Sequence, residues 1–285
     1  MVDVVSTGRY SLGEGARWVD GELSWVDILT GRLLTRRDGV DVTLVQLDVP
    51  LGAVAPLAGR PGHWLAAAGT GIAVIDPSGC PTWLDKPAAG GVRKRMNDAV
   101  VDSAGRLVAG SMAYEADEQP GAGSLYAVDP DGTVREILDG ITIPNGPAFA
   151  PDGTVMYLAD SARNRIDAYP YDPSTGTAGT PTLFAKVREH WPDGMAVDVN
   201  GDVWSAIWGG AVLHRYRPDG ELAEVIDVPA TRPTSICFGG PELSTVYVTS
   251  ASMWLDGRLT PTDGAVFRLP NPAQGRPDTP ARLDA

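Results

Sequence analysis

A strand pattern that recurs six times constrains this chain more than any other feature of its sequence. Each copy joins an apolar or aromatic pair to small residues, and successive copies lie 40 to 50 residues apart: LSWVDI, HWLAAAG, RLVAGSM, VMYLADS, VWSAIWG and VYVTSAS. Most copies follow a turn such as DPDG, SAG, PDG or VNG, in which glycine and proline favour turn conformations. A period of this length is typical of repeat folds, and a β-sandwich would not show it.

Each copy belongs to a set of four short strands. The fourth set reads GPAFAP, VMYLAD, RIDAYPY and TLFAKV, and the fifth reads GMAVDV, DVWSAI, VLHRYRP and LAEVIDV. Four strands per repeat, with almost no helical periodicity, predict an all-β six-bladed propeller. The sixth set has only three clear strands, TSICFGG, VYVTSAS and AVFRLP. We therefore expect the N-terminal strand VDVVSTG to complete that blade and close the ring, so that residues 1–285 form one domain.

Composition and charge exclude several classes of function. The net charge is −13, and binding to nucleic acid is not expected because neutralising phosphates needs a basic face. The N-terminal stretch MVDVVSTGRYSLGEG lacks the basic start and apolar core of a signal peptide. No apolar run approaches the ~18 residues of a membrane span, and Cys80 and Cys237 form no metal-binding spacing. A cytoplasmic chain without a membrane partner is therefore expected, while the oligomeric state stays open.

Polar residues open several of the predicted innermost strands, which would surround the channel of a propeller. Glu14 lies in LGEGARW, Asn145 in IPNGPAF and Asp193 in WPDGMAV, while Asn97 and Asp98 open the third set. Equivalent positions of different blades meet around the axis, so Glu14, Asn145 and Asp193 should share one height. Two carboxylates and an amide oxygen form a partial shell for a hard divalent cation, and without one the carboxylates would repel each other. Alternatively, each residue only belongs to a turn, and Asp98 is either a distant ligand or a cap of its own turn.

These motifs resemble those of the SMP-30/gluconolactonase/luciferin-regenerating-enzyme family, whose members include regucalcin and bacterial sugar lactonases. The similar stretches follow one another through most of the chain: LGEGARW with LSWVDI, RMNDAVVDSAGRLVAGSM, GSLYAVDPDG, IPNGPAF, PDGMAVDVNGDVW and PTSICFGG. The resemblance implies a six-bladed propeller with one divalent cation in its channel, held by Glu14, Asn145 and Asp193. Ca²⁺ is the first candidate, with Zn²⁺, Mn²⁺, Mg²⁺ and Fe²⁺ as alternatives.

The resemblance also implies how a substrate is bound. The family's Arg-x-Asn-Asp-Gly pattern corresponds to Arg95 and Asn97, although alanine replaces its last glycine in this chain. The family's lid glutamate, shortly after a Gly-Thr-Met stretch, corresponds to Glu115, which follows Gly-Ser-Met at 110–112. The segment 114–123, YEADEQPGAG, departs most from the family pattern.

The residues suit the hydrolysis of a sugar lactone, such as glucono-, xylono- or arabinono-lactone, to its acid. The cation would polarise the ester carbonyl, and Arg95 and Asn97 would bind the ring hydroxyls. Asp193 would take a proton from the attacking water, unless a water made acidic by the cation is itself the base. Two other classes stay open: an organophosphate, phosphotriester or other ester hydrolase on the same propeller, and a propeller that only binds a ligand.

The aromatic residues add candidates for the wall of the pocket. Most of the eight tryptophans are expected in the core, whereas Trp191, Trp208 and Trp254 could face the channel mouth. His190 precedes Asp193 on a loop and is a further candidate.

Overall fold

The strands form six antiparallel sheets in the computed structural model, which describes residues 2–255, 257, 259–270 and 273–284. Two short 3₁₀ helices, Ile28–Thr30 and Ser161–Arg163, follow the second strands of the first and fourth sheets. In chain order the strands are β1 (Asp3–Ser6), β2 (Gly13–Val19), β3 (Glu22–Asp27), β4 (Arg32–Arg37), β5 (Val40–Gln46), β6 (Leu51–Pro56), β7 (Trp64–Ala68), β8 (Gly71–Ile75), β9 (Pro81–Asp85), β10 (Lys94–Val101), β11 (Leu107–Ala113), β12 (Gly123–Val128), β13 (Val134–Ile141), β14 (Pro144–Phe149), β15 (Val155–Asp160), β16 (Arg165–Asp172), β17 (Thr177–Ala178), β18 (Thr182–Lys186), β19 (Trp191–Val197), β20 (Val203–Trp208), β21 (Val212–Tyr216), β22 (Leu222–Asp227), β23 (Pro233–Gly239), β24 (Thr245–Ser250) and β25 (Val266–Pro270).

The sheets are the six blades of a propeller, as the repeat predicts. Blades 1, 2, 3 and 5 are four-stranded meanders: β2–β5, β6–β9, β10–β13 and β19–β22. Blade 4 contains β14, β15, β16 and β18, and the two-residue strand β17 pairs with the end of β16. Among the described residues no α-helix occurs, and none of the helices is long and apolar enough to span a membrane.

The N-terminal strand closes the ring, which confirms the second part of the fold prediction. Blade 6 contains β23, β24 and β25, and β1 pairs with β25 as its outermost strand. Asp3 lies opposite Arg268 and Val4 opposite Phe267 in this antiparallel pairing. The last blade therefore combines strands from both ends of the chain.

Burial decreases from the innermost to the outermost strand of a blade. All seven residues of β23 and all five of β7 are buried, because neighbouring blades cover both faces of these strands. The outer strands β5 and β22 are mostly exposed or half-buried. This difference explains why the second strand β7, WLAAA, is a continuous apolar run, whereas the outer strands β5 and β22 contain charged residues. Trp25 and Trp204 are among the largest side chains buried between blades.

The C-terminal segment crosses one end of the channel, which we call the lower end. The repeat does not predict this feature. The Ala281 amide donates to the Pro56 carbonyl at 2.9 Å, and the Ala281 carbonyl accepts from the Ala58 amide at 2.8 Å. A cavity of about 130 Å³ lies at this end, lined partly by Arg17 and by residues 276–279. It contains none of the three predicted metal ligands, so we place the functional site at the opposite mouth.

Candidate metal centre and binding pocket

The opposite mouth of the channel contains a cavity of about 260 Å³. Five polar side chains predicted from the sequence line it, and each exposes only 5 to 7% of its surface: Glu14, Arg95, Asn97, Asn145 and Asp193. They come from the innermost strands of blades 1, 3, 4 and 5, which are far apart in sequence. The predicted convergence of these positions on the channel axis is therefore present in the fold.

The innermost strands are irregular at the height of these side chains. Pairing with the next strand is interrupted in each strand that carries a predicted ligand: between Glu14 and Arg17, between Asn145 and Ala148, and between Pro192 and Met195. Such bulges turn side chains away from the regular alternation of a strand. Gly146, directly after Asn145, has φ of +42°, and a Cβ on it would lie 2.5 Å from the Met195 amide of the next blade. Glycine is therefore required there.

Two buried carboxyl groups, those of Glu14 and Asp193, line the same cavity. Burial, followed by the charges of Asp193 and Asp98, raises the pKa of Glu14 well above its usual range. Burial and the charge of Asp98 likewise raise the pKa of Asp193, and the nearby Arg95 opposes both shifts to a smaller extent. Two carboxylates buried in one cavity repel each other unless a proton or a cation lies between them.

The donor set fits a hard divalent cation. The carboxylates of Glu14 and Asp193 and the amide oxygen of Asn145 line the same cavity, and Ca²⁺ and Mg²⁺ prefer such oxygen donors. No group of three or more His, Cys, Asp or Glu side chains suited to a metal occurs in the described part of the chain. The site therefore depends on the Asn145 oxygen as its third protein donor, with the remaining positions open to water or substrate.

A chain of hydrogen bonds links blades 3, 4 and 5 beside the carboxylates. Arg95 Nη1 donates to Asn97 Oδ1 at 2.6 Å, and Asn97 Nδ2 donates to Asn145 Oδ1 at 2.6 Å. Asn145 Nδ2 donates to Ser161 Oγ at 2.9 Å, and the Ser161 hydroxyl donates to the Pro192 carbonyl at 2.6 Å. This network fixes which edge of the Asn145 amide carries the oxygen, and that oxygen keeps a second lone pair for a cation.

Asp98 holds the backbone beside a predicted ligand. Its Oδ1 accepts from the Ala99 amide at 2.8 Å, and its Oδ2 accepts from the Gly146 amide at 2.7 Å. The first bond is the one expected from the second of the two roles open to Asp98, a cap of its own turn. The second fixes the residue after Asn145, so Asp98 supports the site from below and does not line the upper cavity.

The segment after β11 presents a different acidic residue to the pocket than the one inferred from the family pattern. Glu115 is exposed and does not line the cavity, whereas Asp117 does. The amides of Glu118 and Gln119 donate to the Glu115 carbonyl at 3.1 and 3.0 Å, which indicates a helix-like turn. Successive residues of such a turn are about 100° apart, so side chains two positions apart point in nearly opposite directions. A lid role for Glu115 stays a prediction.

Other pocket residues were candidates or went unnoticed in the sequence. Trp191, Trp208 and Trp254 line the cavity as expected, whereas His190 does not. Ser161 was not singled out, although it follows VMYLAD, the second strand of the fourth set. The other residues were identified by aligning the first strand of each set, and Ser161 lies at the end of a second strand.

The sequence model of the SMP-30/gluconolactonase/LRE-like region matches residues 12–252 of this chain. The chain belongs to this family. Pentonolactonase XacC of Haloferax volcanii is 34% identical over 284 residues, covering 94% of this chain and 93% of the relative. A 6-deoxy-6-sulfogluconolactonase of Pseudomonas putida is 35% identical over 248 residues, covering 84% and 83%. The crystal structure of regucalcin from Agrobacterium tumefaciens, described as a calcium-binding protein, is similar with a TM-score of 0.92 and 30% identity, covering 98% and 97%.

Proposed function

We propose that this protein is a lactonase that opens a sugar lactone to its acid and requires one divalent cation bound by Glu14, Asn145 and Asp193. The observation that carries the proposal is a pair of buried carboxyl groups and an amide oxygen lining one cavity, which Arg95 and Asn97 also line. The similarity to proteins named as pentonolactonase and sulfogluconolactonase supports the choice of a sugar lactone. The similarity to a calcium-binding regucalcin supports Ca²⁺ as the first cation to test.

The proposed chemistry divides the work between the cation and the side chains. When bound, the cation supplies positive charge that polarises the ester carbonyl and stabilises the negative charge developing on its oxygen. Asp193 then acts as the general base, since its carboxylate lies in the same cavity and can accept a proton from the attacking water. The turn at Pro192 and Gly194 orients this short side chain, because the Pro192 carbonyl accepts a hydrogen bond from the Ser161 hydroxyl.

Arg95 and Asn97 orient the substrate. Both hydrogen bonds of Arg95 within the described chain come from Nη1, to the Met96 carbonyl and to Asn97 Oδ1. Its Nε and Nη2 hydrogens therefore remain to bind ring hydroxyls, in the planar arrangement that a guanidinium offers. Burial lowers the pKa of Arg95, but a guanidinium stays charged at neutral pH.

The cavity size favours a small ring. A volume of about 260 Å³ lies near the lower limit of small-molecule sites. It suits a five- or six-carbon aldonolactone such as glucono-, xylono- or arabinono-lactone and leaves little room for a long acyl chain.

A substrate panel tests the proposed function against its alternatives. Purified protein with added Ca²⁺ or Mn²⁺ would be assayed with a pH indicator on aldonolactones, acyl-homoserine lactones and phosphotriesters, with spontaneous hydrolysis subtracted. We expect turnover of aldonolactones to exceed that of the other two classes. A preference for phosphotriesters or acyl-homoserine lactones would reject the proposal, and no turnover of any class would favour a propeller that only binds a ligand.

A further inference from the structure

One wall of the cavity is aromatic. Trp191 and Trp208, which lie opposite each other at one end of the β19–β20 pairing, and Trp254, which follows β24, all line the pocket. Trp191 is 44% exposed and Trp254 is 65% exposed, so their indole rings are left open at the mouth. Large exposed aromatic side chains grouped at a cavity mark a place where a ligand covers apolar surface. These three side chains have no role in the proposed metal chemistry.

Interactions behind the pocket hold the aromatic wall in place. The rings of Trp208 and Trp254 meet edge to face with centroids 6.0 Å apart. The Arg232 guanidinium lies 4.9 Å from the Trp208 ring centroid and also donates to the Met253 carbonyl, next to Trp254. Trp254 has φ of +54°, which is uncommon for a bulky residue. Arg232 thus ties the loop of blade 6 to the Trp208 ring of blade 5.

The aromatic wall lies on blades 5 and 6, whereas Arg95, Asn97 and Asp117 belong to blade 3 and its β11–β12 connection. In a ring of six blades the third faces the sixth, so Trp254 lies across the channel from these polar residues, and Trp208 of blade 5 packs against Trp254. A lactone carbonyl has two different sides: the carbon that bears hydroxyls, and the ring oxygen, beyond which lies the exocyclic carbon. If Arg95 and Asn97 bind the hydroxyl side, the exocyclic carbon points toward the tryptophans.

We propose that Trp191, Trp208 and Trp254 form a subsite for an apolar exocyclic group, so that the enzyme prefers 6-deoxyhexonolactones to hexonolactones of the same configuration. This inference rests on the proposed lactonase function and specifies the substrate of that same site. A methyl group would cover the indoles without leaving a polar atom unpaired, whereas a hydroxymethyl group would lose hydrogen bonds to water. Apolar pockets discriminate such small differences by about 10- to 200-fold. We expect about tenfold, since two of the three rings are partly open to solvent.

The test compares matched pairs of 1,5-lactones, in which C6 alone lies outside the ring, at saturating cation: 6-deoxyglucono-1,5-lactone with glucono-1,5-lactone, and 6-deoxygalactono-1,5-lactone with galactono-1,5-lactone. The wild type should show about tenfold higher kcat/KM for the deoxy member of each pair, mainly through a lower KM. Trp254→Ala should reduce this ratio to below about threefold, and Trp254→Phe should keep most of it. Trp83→Ala is the control, because Trp83 lies on the outer strand β9 and does not line the pocket.

Three outcomes would overturn the inference, and they are distinguishable. Equal or better hydrolysis of the hydroxymethyl members would refute the apolar subsite while leaving the lactonase proposal intact. A Trp254→Ala variant that loses the same factor on both members of a pair would show that Trp254 only shields the site. No hydrolysis of any sugar lactone would refute the proposed function, and the inference with it.

Discussion

Replacing Glu14 by glutamine should make the protein more stable when divalent cations are chelated and should abolish its response to added cation. The side chain is buried, and its Oε2 accepts from the Gly15 amide at 3.0 Å. A glutamine can keep that bond through its amide oxygen and can donate from its NH₂ group to Asp193. The substitution therefore removes the repulsion between two carboxylates and supplies a hydrogen bond.

The direction of the effect follows from the surroundings of Glu14, where burial and then the charges of Asp193 and Asp98 disfavour its ionised form and raise its pKa. A hydrogen bond to a charged group contributes about 1.5–3 kcal/mol to stability, so a bond from the glutamine NH₂ group to Asp193 should raise the free energy of unfolding by about that amount. Unfolding entropy of about 2.1 cal/mol/K per residue gives about 0.6 kcal/mol/K for 285 residues, hence an increase in Tm of about 2.5–5 °C.

The pH dependence has a definite sign. A carboxyl whose pKa is raised by folding stabilises the folded state fully below its unfolded pKa, and this contribution is lost as the pH rises through the folded pKa. Chelated wild-type protein should therefore lose stability relative to Glu14→Gln as the pH increases above about 4.3. At 100 times its Kd, a cation should stabilise the wild type by about 2.7 kcal/mol, whereas the variant should respond little.

Thermal unfolding in chelator, in Ca²⁺ and across pH measures all of these differences. Glu22→Gln is a matched control, since Glu22 forms an exposed pair with Arg37 and lies away from the cavity. It should keep the cation response of the wild type. A chelated Glu14→Gln variant that melts at or below the wild-type temperature at pH 7 would refute the reasoning, as would an equal response of both proteins to cation.

The remaining predictions concern catalysis, substrate binding and ring closure. Asp193→Asn should lower kcat about 10²- to 10⁴-fold even at saturating cation, as measured by steady-state kinetics. If saturating cation restores a kcat near that of the wild type, Asp193 is not the base. Arg95→Lys should raise KM for an aldonolactone about tenfold, because an ammonium cannot replace the planar guanidinium; an unchanged KM would remove Arg95 from the substrate site. Deleting residues 2–8 should lower Tm by about 5 °C, since the ladder between β1 and β25 supplies about three net hydrogen bonds of about 1 kcal/mol each; an unchanged Tm would contradict the closure of the ring as a source of stability.

The periodic part of the fold could be predicted from the sequence because each blade repeats the same four-strand pattern. The missing fourth strand of blade 6 was itself informative, and the pairing of β1 with β25 confirms that the N-terminus supplies it. The C-terminal segment was not predictable, because its contacts, such as that of Ala281 with Pro56, lie outside any repeat. Residues outside the repeat have no equivalent positions in the other blades, so aligning the blades does not predict where they lie.

The site residues that lie in the repeated first strands could be predicted from the sequence, as the repeated strands themselves could. Glu14, Asn145 and Asp193 occupy equivalent positions of different blades, so the symmetry of a propeller brings them together without any knowledge of side-chain contacts. Ser161 and Asp117 were missed because they lie beyond the first strands, at a strand end and in a turn. Their orientation depends on local hydrogen bonds, and a single sequence does not reveal those. The roles of the convergent residues stay predictions.

The most direct test of the account is the hydrolysis of an aldonolactone by protein from which divalent cations have been removed, with removal verified by elemental analysis. We expect turnover to fall to the spontaneous rate and to return when Ca²⁺, Mn²⁺, Zn²⁺ or Mg²⁺ is added back, with activity saturating at one cation per chain. Asn145→Ala protein should need far more cation for the same recovery, because it lacks the third protein donor. Unchanged turnover after verified removal of the metal would contradict the account.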